Sequence, residues 1–346
     1  MERWTTRFSK LFIGASLQYY QHGESNEIMT TELPPIPKDF IIRAPVMAEL
    51  EAVTDLIIAC DIVDVGEPDF TSDDLLSDWQ RPNFNLATDA RIIVTPAGQI
   101  VGYTDVYQSR TGMYINPNTN VHPDYRGQGL ELYLFRLSEA LALQHLAETQ
   151  PTIPQVIGTV STTRQTSSLL EQEGYIPVKH DWRMEIELKE SPPAPTWPKG
   201  ISIRTLIPRQ DEQTVHRVIQ DAFSDLAHRV YQPFEEWEQW AIQRNDFDPS
   251  LVFLVMAGEE PVGAVLCYNY PDEGWVRQLA VLRQWRGRGI ALQLLYHIFG
   301  EFHRRGIQRV GLIVDSQNAT GATRLYERAG MHSTLQLDTY EKKLHP

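Results

Sequence analysis

Arg286-Gly287-Arg288-Gly289-Ile290-Ala291 is the stretch that decides how this chain of 346 residues is read. An apolar run, Leu279-Ala280-Val281-Leu282, precedes it. After it Ile290, Ala291, Leu294, Leu295, Ile298, Phe299 and Phe302 recur at helical spacing and form one apolar face. The pattern predicts a strand, a glycine turn and a helix start. A helix start leaves its first backbone N–H groups without internal partners and carries the positive end of the helix dipole, so it suits an anion. Glycines let a phosphate approach the main chain closely, and Arg286 and Arg288 add charge-assisted donors. Two familiar phosphate loops do not fit. The Walker loop needs a terminal Gly-Lys-Ser/Thr, absent here, and the dinucleotide fingerprint needs a third glycine where Leu292 stands.

Working outward, the surroundings of this turn occur twice. Ile41-Ile42-Arg43 returns as Ile201-Ser202-Ile203-Arg204 (Arg43 matching Arg204), Val101-Gly102 as Val262-Gly263, Arg126-Gly127-Gln128-Gly129 as Arg286-Gly287-Arg288-Gly289, and Gly174-Tyr175 as Gly330-Met331. The offset drifts only from 161 to 156 residues, which indicates duplicated domains with small loop differences. A solenoid would repeat every ~20–50 residues. Each copy reads as an opening strand, a helical stretch (49–59; 211–222) and two antiparallel strands (91–107; 251–270). A strand ending at Val121 or Val281 leads into the glycine turn and a long helix. In the second copy Arg309–Asp315 follows as a strand, and 320–329 as a helix stopped by Gly330.

Ser191-Pro192-Pro193-Ala194-Pro195 through Pro198 and Gly200 reads as a stiff linker. The expected organisation is an N-terminal extension (1–38), a first domain (39–190), the linker (191–200) and a second domain (201–346). Arg3, Arg7 and Lys10 before the apolar residues 11–17 superficially resemble a signal peptide, but Gly14, Ser16 and Gln18-Tyr19-Tyr20 leave that run short. An upstream extension with initiation at Met29 is the expectation.

The turn and its flanks resemble the GNAT superfamily of acyl-CoA-dependent N-acyltransferases. The family signature, Gln/Arg-x-x-Gly-x-Gly/Ala after a strand, is met by Arg286, Gly289 and Ala291, and Asn318, Tyr326 and Gly330-Met331 also fall in family positions. The resemblance covers 203–344. It implies an α/β (mixed α+β) class with two tandem domains, each a mostly antiparallel sheet with a splayed parallel strand pair flanked by helices. It also implies acetyl-CoA as co-substrate. Main-chain groups of Leu279, Ala280 and Val281 would bond the pantetheine arm as an added strand does. The N–H groups of Arg286, Gly287, Arg288, Gly289, Ile290 and Ala291 would hold the pyrophosphate, with Asn318 a further cofactor contact. Tyr326 matches the tyrosine that protonates the departing thiolate. Where many members carry a basic Glu this chain has Trp275; Glu273, just upstream, is the candidate base acting through water.

The first copy departs from the pattern twice. Glu131 stands where Gly or Ala is expected, so a carboxylate would face the pyrophosphate, and Leu170 replaces the proton-donating Tyr326. The first domain is therefore expected to be degenerate and the second to act. In the second, Phe223, His228, Tyr231, Phe234, Trp237 and Trp240 cluster in the region that walls the acceptor pocket in this family. Tyr231 and Trp237 are the favoured acceptor contacts, with ordinary core packing the alternative.

Composition narrows the function classes. A net charge of −14 opposes nucleic-acid or anionic-membrane binding, and no apolar run approaches the ~18 residues of a membrane span. The acidic excess sits early, with 15 basic against 27 acidic side chains over 1–200 and 16 against 18 over 201–346, so an anionic cofactor should prefer the second half. Asp61, Asp64, Glu67, Asp69, Asp73, Asp74 and Asp78 read as a solvated acidic loop or as a rim for a cationic substrate. Two cysteines and ten scattered histidines offer neither a disulfide framework nor metal-ligand spacing, so no metal and a reducing cytoplasm are expected. The reading is direct transfer of an acetyl group to a primary amine of a small molecule, by a monomer or homodimer. Two rivals remain at this point: a non-catalytic acyl-CoA sensor or scaffold, favoured by Trp275, and acetylation of a protein N-terminus or lysine.

Overall fold

The computed structural model describes residues 33–344 apart from 38, 69, 82–83, 109–113, 150–154, 225–230, 245–246, 271–272 and 318–320. The expected extension, but for its residues 33–37, and Asn318 therefore lie outside the described residues. The chain forms two compact units, one holding the described residues up to 179 and from 337 onward, the other 180–336.

In unit one the elements are β1 (Ile41–Arg43), α1 (Leu50–Asp64), α2 (Ser72–Trp79), α3 (Leu86–Asp89), β2 (Ala90–Val94), β3 (Ile100–Gln108), β4 (Tyr114–Val121), α4 (Leu130–Thr149), β5 (Gln155–Ser161), α5 (Arg164–Gln172) and the start of β6 (Ile176–Glu187). Strands β1 to β4 pair antiparallel in sequence order. Strand β4 then meets β5 in parallel only at Tyr114 and Ile115, and the two diverge toward Val121. Alternation along β2 sends Ile93 to the core under α4 and Ile92 to the core under α1 and α2. The acidic stretch is consumed locally. Asp74 closes a capping box with Thr71 at the head of α2, and Asp64 pairs with Arg126, so neither is a free rim for a cation.

Unit two repeats the plan with β7 (Ile201–Thr205), α6 (Glu212–Phe223), α7 (Phe234–Ala241), β8 (Val252–Ala257), β9 (Glu260–Asn269), β10 (Gly274–Val281), α8 (Ile290–Arg304), β11 (Arg309–Asp315), α9 (Ala322–Arg328) and the start of β12 (His332–Leu344). Strands β7 to β10 are antiparallel neighbours, and β10 meets β11 in parallel only at Gly274↔Val310 and Trp275↔Gly311. Under α8, Leu294, Leu295, Ile298, Phe299 and Phe302 pack with Val265, Val276, Val310 and Leu312, while α6 lies against β9 and β10. Glycine is required at 274, where a Cβ would come within 2.7 Å of the Phe302 ring.

The units do not divide at the proline stretch. The second half of β6 pairs antiparallel with β11, from Asp181↔Asp315 to Glu187↔Arg309, and belongs to unit two. The second half of β12 pairs with β5, from Asp338↔Ser161 to Leu344↔Gln155, and belongs to unit one. Each unit thus takes its last strand from the other half of the sequence, which a boundary placed at the linker misses. The linker is also no free spacer. It lies along α8, where the Thr196 N–H donates to Gln293 Oε1 at 2.6 Å and the Trp197 ring stands 6.4 Å from that of His297.

Candidate active site

The glycine turn of unit two closes the strand end onto the helix. Gly289 adopts φ 79°, open to glycine at little cost, and α8 starts at the next residue. The N–H groups of Gly287 to Leu292 donate to no acceptor among the described residues, so a bank of unspent donors lies at the helix head. The arginines act differently from expectation. Arg286 donates its own N–H to Arg283 O, its Nε to Val281 O at 3.0 Å and its Nη2 to Ala222 O, which ties the turn to the end of α6. It buttresses the loop; its amide is not an anion donor. Arg288 stacks on Trp285, 4.5 Å from the ring centroid, at the exposed lip of the turn.

Beside this turn β10 has an open edge. Leu279, Ala280 and Val281 pair with Val265, Ala264 and Gly263 on one side, while the parallel pairing with β11 ends at Trp275. The edge facing β11 at those three residues is free to accept an extended ligand as a strand. Tyr326 on α9 is a buried member of the α8 core, and its hydroxyl makes no hydrogen bond with any described residue. Burial pushes its pKa up to about 12, which keeps the proton on at neutral pH.

The candidate base is overturned. Glu273 is fully buried, both of its oxygens lie 3.2 Å from Arg183 Nη2, and Arg309 Nε stands 3.8 Å away. Gly311 makes the room, since a Cβ there would sit 2.3 Å from Glu273 Oε1. A carboxylate held between two guanidinium groups without solvent is a structural anchor and a poor proton acceptor. Of the two favoured acceptor contacts, Trp237 is fully buried and its Nε1–H donates to Gln278 Oε1 at 2.9 Å, so it is core. Tyr231 is 69% exposed and touches His216 ring to ring. His228 lies outside the described residues.

In unit one the same turn meets its own carboxylates. Arg126 keeps the buttress to Val121 O, but its two terminal nitrogens pair with Asp64 at 2.6 and 2.8 Å. The Glu131 carboxylate folds back to accept the Gly127 N–H at 2.9 Å. One donor of the turn is thus taken by the chain's own anion. Leu170 is sealed in the core where unit two has Tyr326.

Known proteins resemble this chain in sequence and fold. The sequence profile of the acetyltransferase (GNAT) family matches residues 214–331. A GCN5-related N-acetyltransferase from Sphaerobacter thermophilus, solved by crystallography, is 36% identical with a TM-score of 0.77, over 90% of this chain and 98% of that one. The chain belongs to the GNAT family. Mycothiol acetyltransferase from Cellulomonas flavigena is 27% identical over 75% of each chain. A tandem GNAT protein from the clavulanic acid biosynthesis pathway shares the fold, with a TM-score of 0.66 at 13% identity over 89% of this chain and 99% of that one.

This GNAT protein is an acyltransferase with a tandem layout similar to that of mycothiol synthase, so the reading as a non-catalytic sensor falls. The family uses acyl-CoA donors, and the unspent N–H groups and open strand edge of unit two fit one. Among the described residues no three His, Cys, Asp or Glu side chains gather as metal ligands, and no helix is long and apolar enough to cross a membrane. Both cysteines are buried, and burial pushes the Cys60 thiol up to about 11 and the Cys267 thiol higher still, which makes them poor nucleophiles. Sequence reasoning missed Arg277, which a register shift between Val276 and Gln278 inserts into β10. A lone arginine in an apolar strand was the available signal.

Proposed function

We propose that unit two moves the acetyl group of acetyl-CoA directly to a primary amine of a small molecule. The observation that carries this reading is at the turn, where the Gly287 N–H is open beside a run of open N–H groups while the matching Gly127 N–H of unit one is taken by Glu131. The N–H groups of Gly287, Arg288, Gly289, Ile290 and Ala291 hold the pyrophosphate, with Arg286 fixing the loop. Leu279, Ala280 and Val281 align the pantetheine arm along the free edge, and Asn318 remains a cofactor contact on family position alone. When bound, the thioester supplies an acyl carbon that the neutral amine attacks. Tyr326 gives its phenolic proton to the leaving thiolate sulfur, and the proton lost by the amine departs through water, since Glu273 is sealed. A thiol of pKa about 8.5 is a fair leaving group, so the help from Tyr326 is useful without being indispensable.

The relatives named mycothiol acetyltransferases support a small-molecule acceptor. Calorimetric titration with acetyl-CoA, followed by a thiol-release assay over a panel of amines, tests the reading. One site per chain and release that depends on the amine support it. Two equal sites, or release only with peptides, would overturn it.

A further inference from the structure

The bulge in β10 re-aims a charge. Before it Val276 faces the α8 core, and after it Leu279 and Val281 do. Strict alternation would give the opposite face a single residue between Val276 and the next core position. The extra residue puts two consecutive polar side chains, Arg277 and Gln278, on the α7 face. Gln278 is spent on the Trp237 indole. Arg277 lays its guanidinium 4.9 Å from the Trp240 ring centroid and makes no hydrogen bond or ion pair with any described residue. Bulges of this kind turn a side chain toward a site.

The surroundings sharpen the point. Arg277 is half-buried, and burial pulls its pKa below the usual arginine value. Arg244 is near enough to add like-charge repulsion, with its own guanidinium 4.2 Å from the centroid of Tyr268. Tyr268 and Tyr270, 6.3 Å apart ring to ring, complete an aromatic wall. A desolvated guanidinium beside a second one costs free energy that an aromatic face offsets only in part, and a bound anion would remove the cost. The guanidinium fork matches a carboxylate or a phosphate with two parallel hydrogen bonds. Arg277 lies two positions before Leu279 on the strand proposed to align the thioester.

We propose that the acceptor amine carries an anionic group, a carboxylate or a phosphate, and that Arg277, backed by Trp240, binds it. This rests on the reading of unit two as the transferring unit. It makes Arg277 a specificity-determining residue, with Arg244 adding positive field.

The experiment compares matched acceptors with the full chain: glucosamine 6-phosphate against glucosamine for the phosphate arm, and lysine against lysine amide for the carboxylate arm. The charged member of at least one pair is expected to be preferred by about ten- to a hundredfold in kcat/KM, mostly through KM. Arg277→Met should collapse that ratio, and Arg277→Lys should restore part of it. If Arg277→Met fails to fold, competition by inorganic phosphate and acetate against the neutral acceptor, measured with the original chain and with Arg277→Lys, replaces it; weaker competition in the lysine variant is expected. Turnover of both pairs without preference for charge, or a ratio unmoved in either variant, would overturn the inference and leave acetyl transfer standing. Acetyl-CoA bound with no acceptor turned over would count against both.

Discussion

The two glycine turns have the same backbone and opposite contents. Residues 126–131 and 286–291 both follow a splayed strand, both place positive-φ glycines at the second and fourth positions, and both anchor the first arginine on the strand's last carbonyl. Two carboxylates separate them: Asp64 on Arg126, where Arg286 meets the Ala222 carbonyl, and Glu131. Glu131 takes the Gly127 N–H, whose counterpart at Gly287 the small Ala291 leaves open. The comparison shows that such a loop keeps its shape when one of its own side chains takes up a donor of the turn.

Four substitutions break or sharpen that contrast. Ala291→Glu would copy the first turn into the second. Acetyl-CoA affinity should fall by about a hundredfold or more, since a charge-assisted bond within the loop competes with the ligand and the two anions repel. Titration calorimetry checks it, and unchanged affinity would refute the loop assignment. Tyr326→Phe should lower kcat by roughly ten- to a hundredfold with the acetyl-CoA Kd unchanged.

The tyrosine also sets a pH expectation. Its folded pKa of about 12 lies above the ordinary value near 10, so its share of stability is whole below pH 10 and declines as pH rises toward 12. The phenylalanine variant should lose less stability over that alkaline window, as thermal melts between pH 9 and 11 would show.

Glu273→Gln should weaken folding by about 3 kcal/mol, because it leaves Arg183 and Arg309 short of a buried counter-charge. The kcat of the folded fraction should stay within about threefold of the original, well short of the loss from removing a true base. The smallest effect is expected from Glu131→Ala, which frees the Gly127 N–H in unit one. Titration should then reveal a second, weak acetyl-CoA site, limited by the remaining Asp64–Arg126 pair.

Much of this was legible in the sequence because local pattern and local chemistry agree. The strand ends at Val121 and Val281, the α8 face and the strand Arg309–Asp315 all follow from periodicity and glycine placement. Glu131 was legible as an anomaly, though its direction was not: repulsion from a ligand and capping of its own loop look identical in one dimension. The role of Glu273 was hidden because Arg183 lies 90 residues away. Trp237 and Tyr231 share an aromatic cluster, and only burial separates core from surface. Arg277 escaped because alternation assumes an unbroken register, and a bulge is a departure from it.

The crossed final strands have a consequence for the molecule's history and handling. A fragment beginning at Ile201 would lack residues 180–187, so β11 would present a raw row of peptide donors and acceptors. Such a fragment should clump, and a synthetic octapeptide of that sequence should quiet it by slotting into the vacancy. Neither copy can therefore be cut away cleanly at the prolines: deletion there would fray the half that is left, which ties the two duplicates together in the gene.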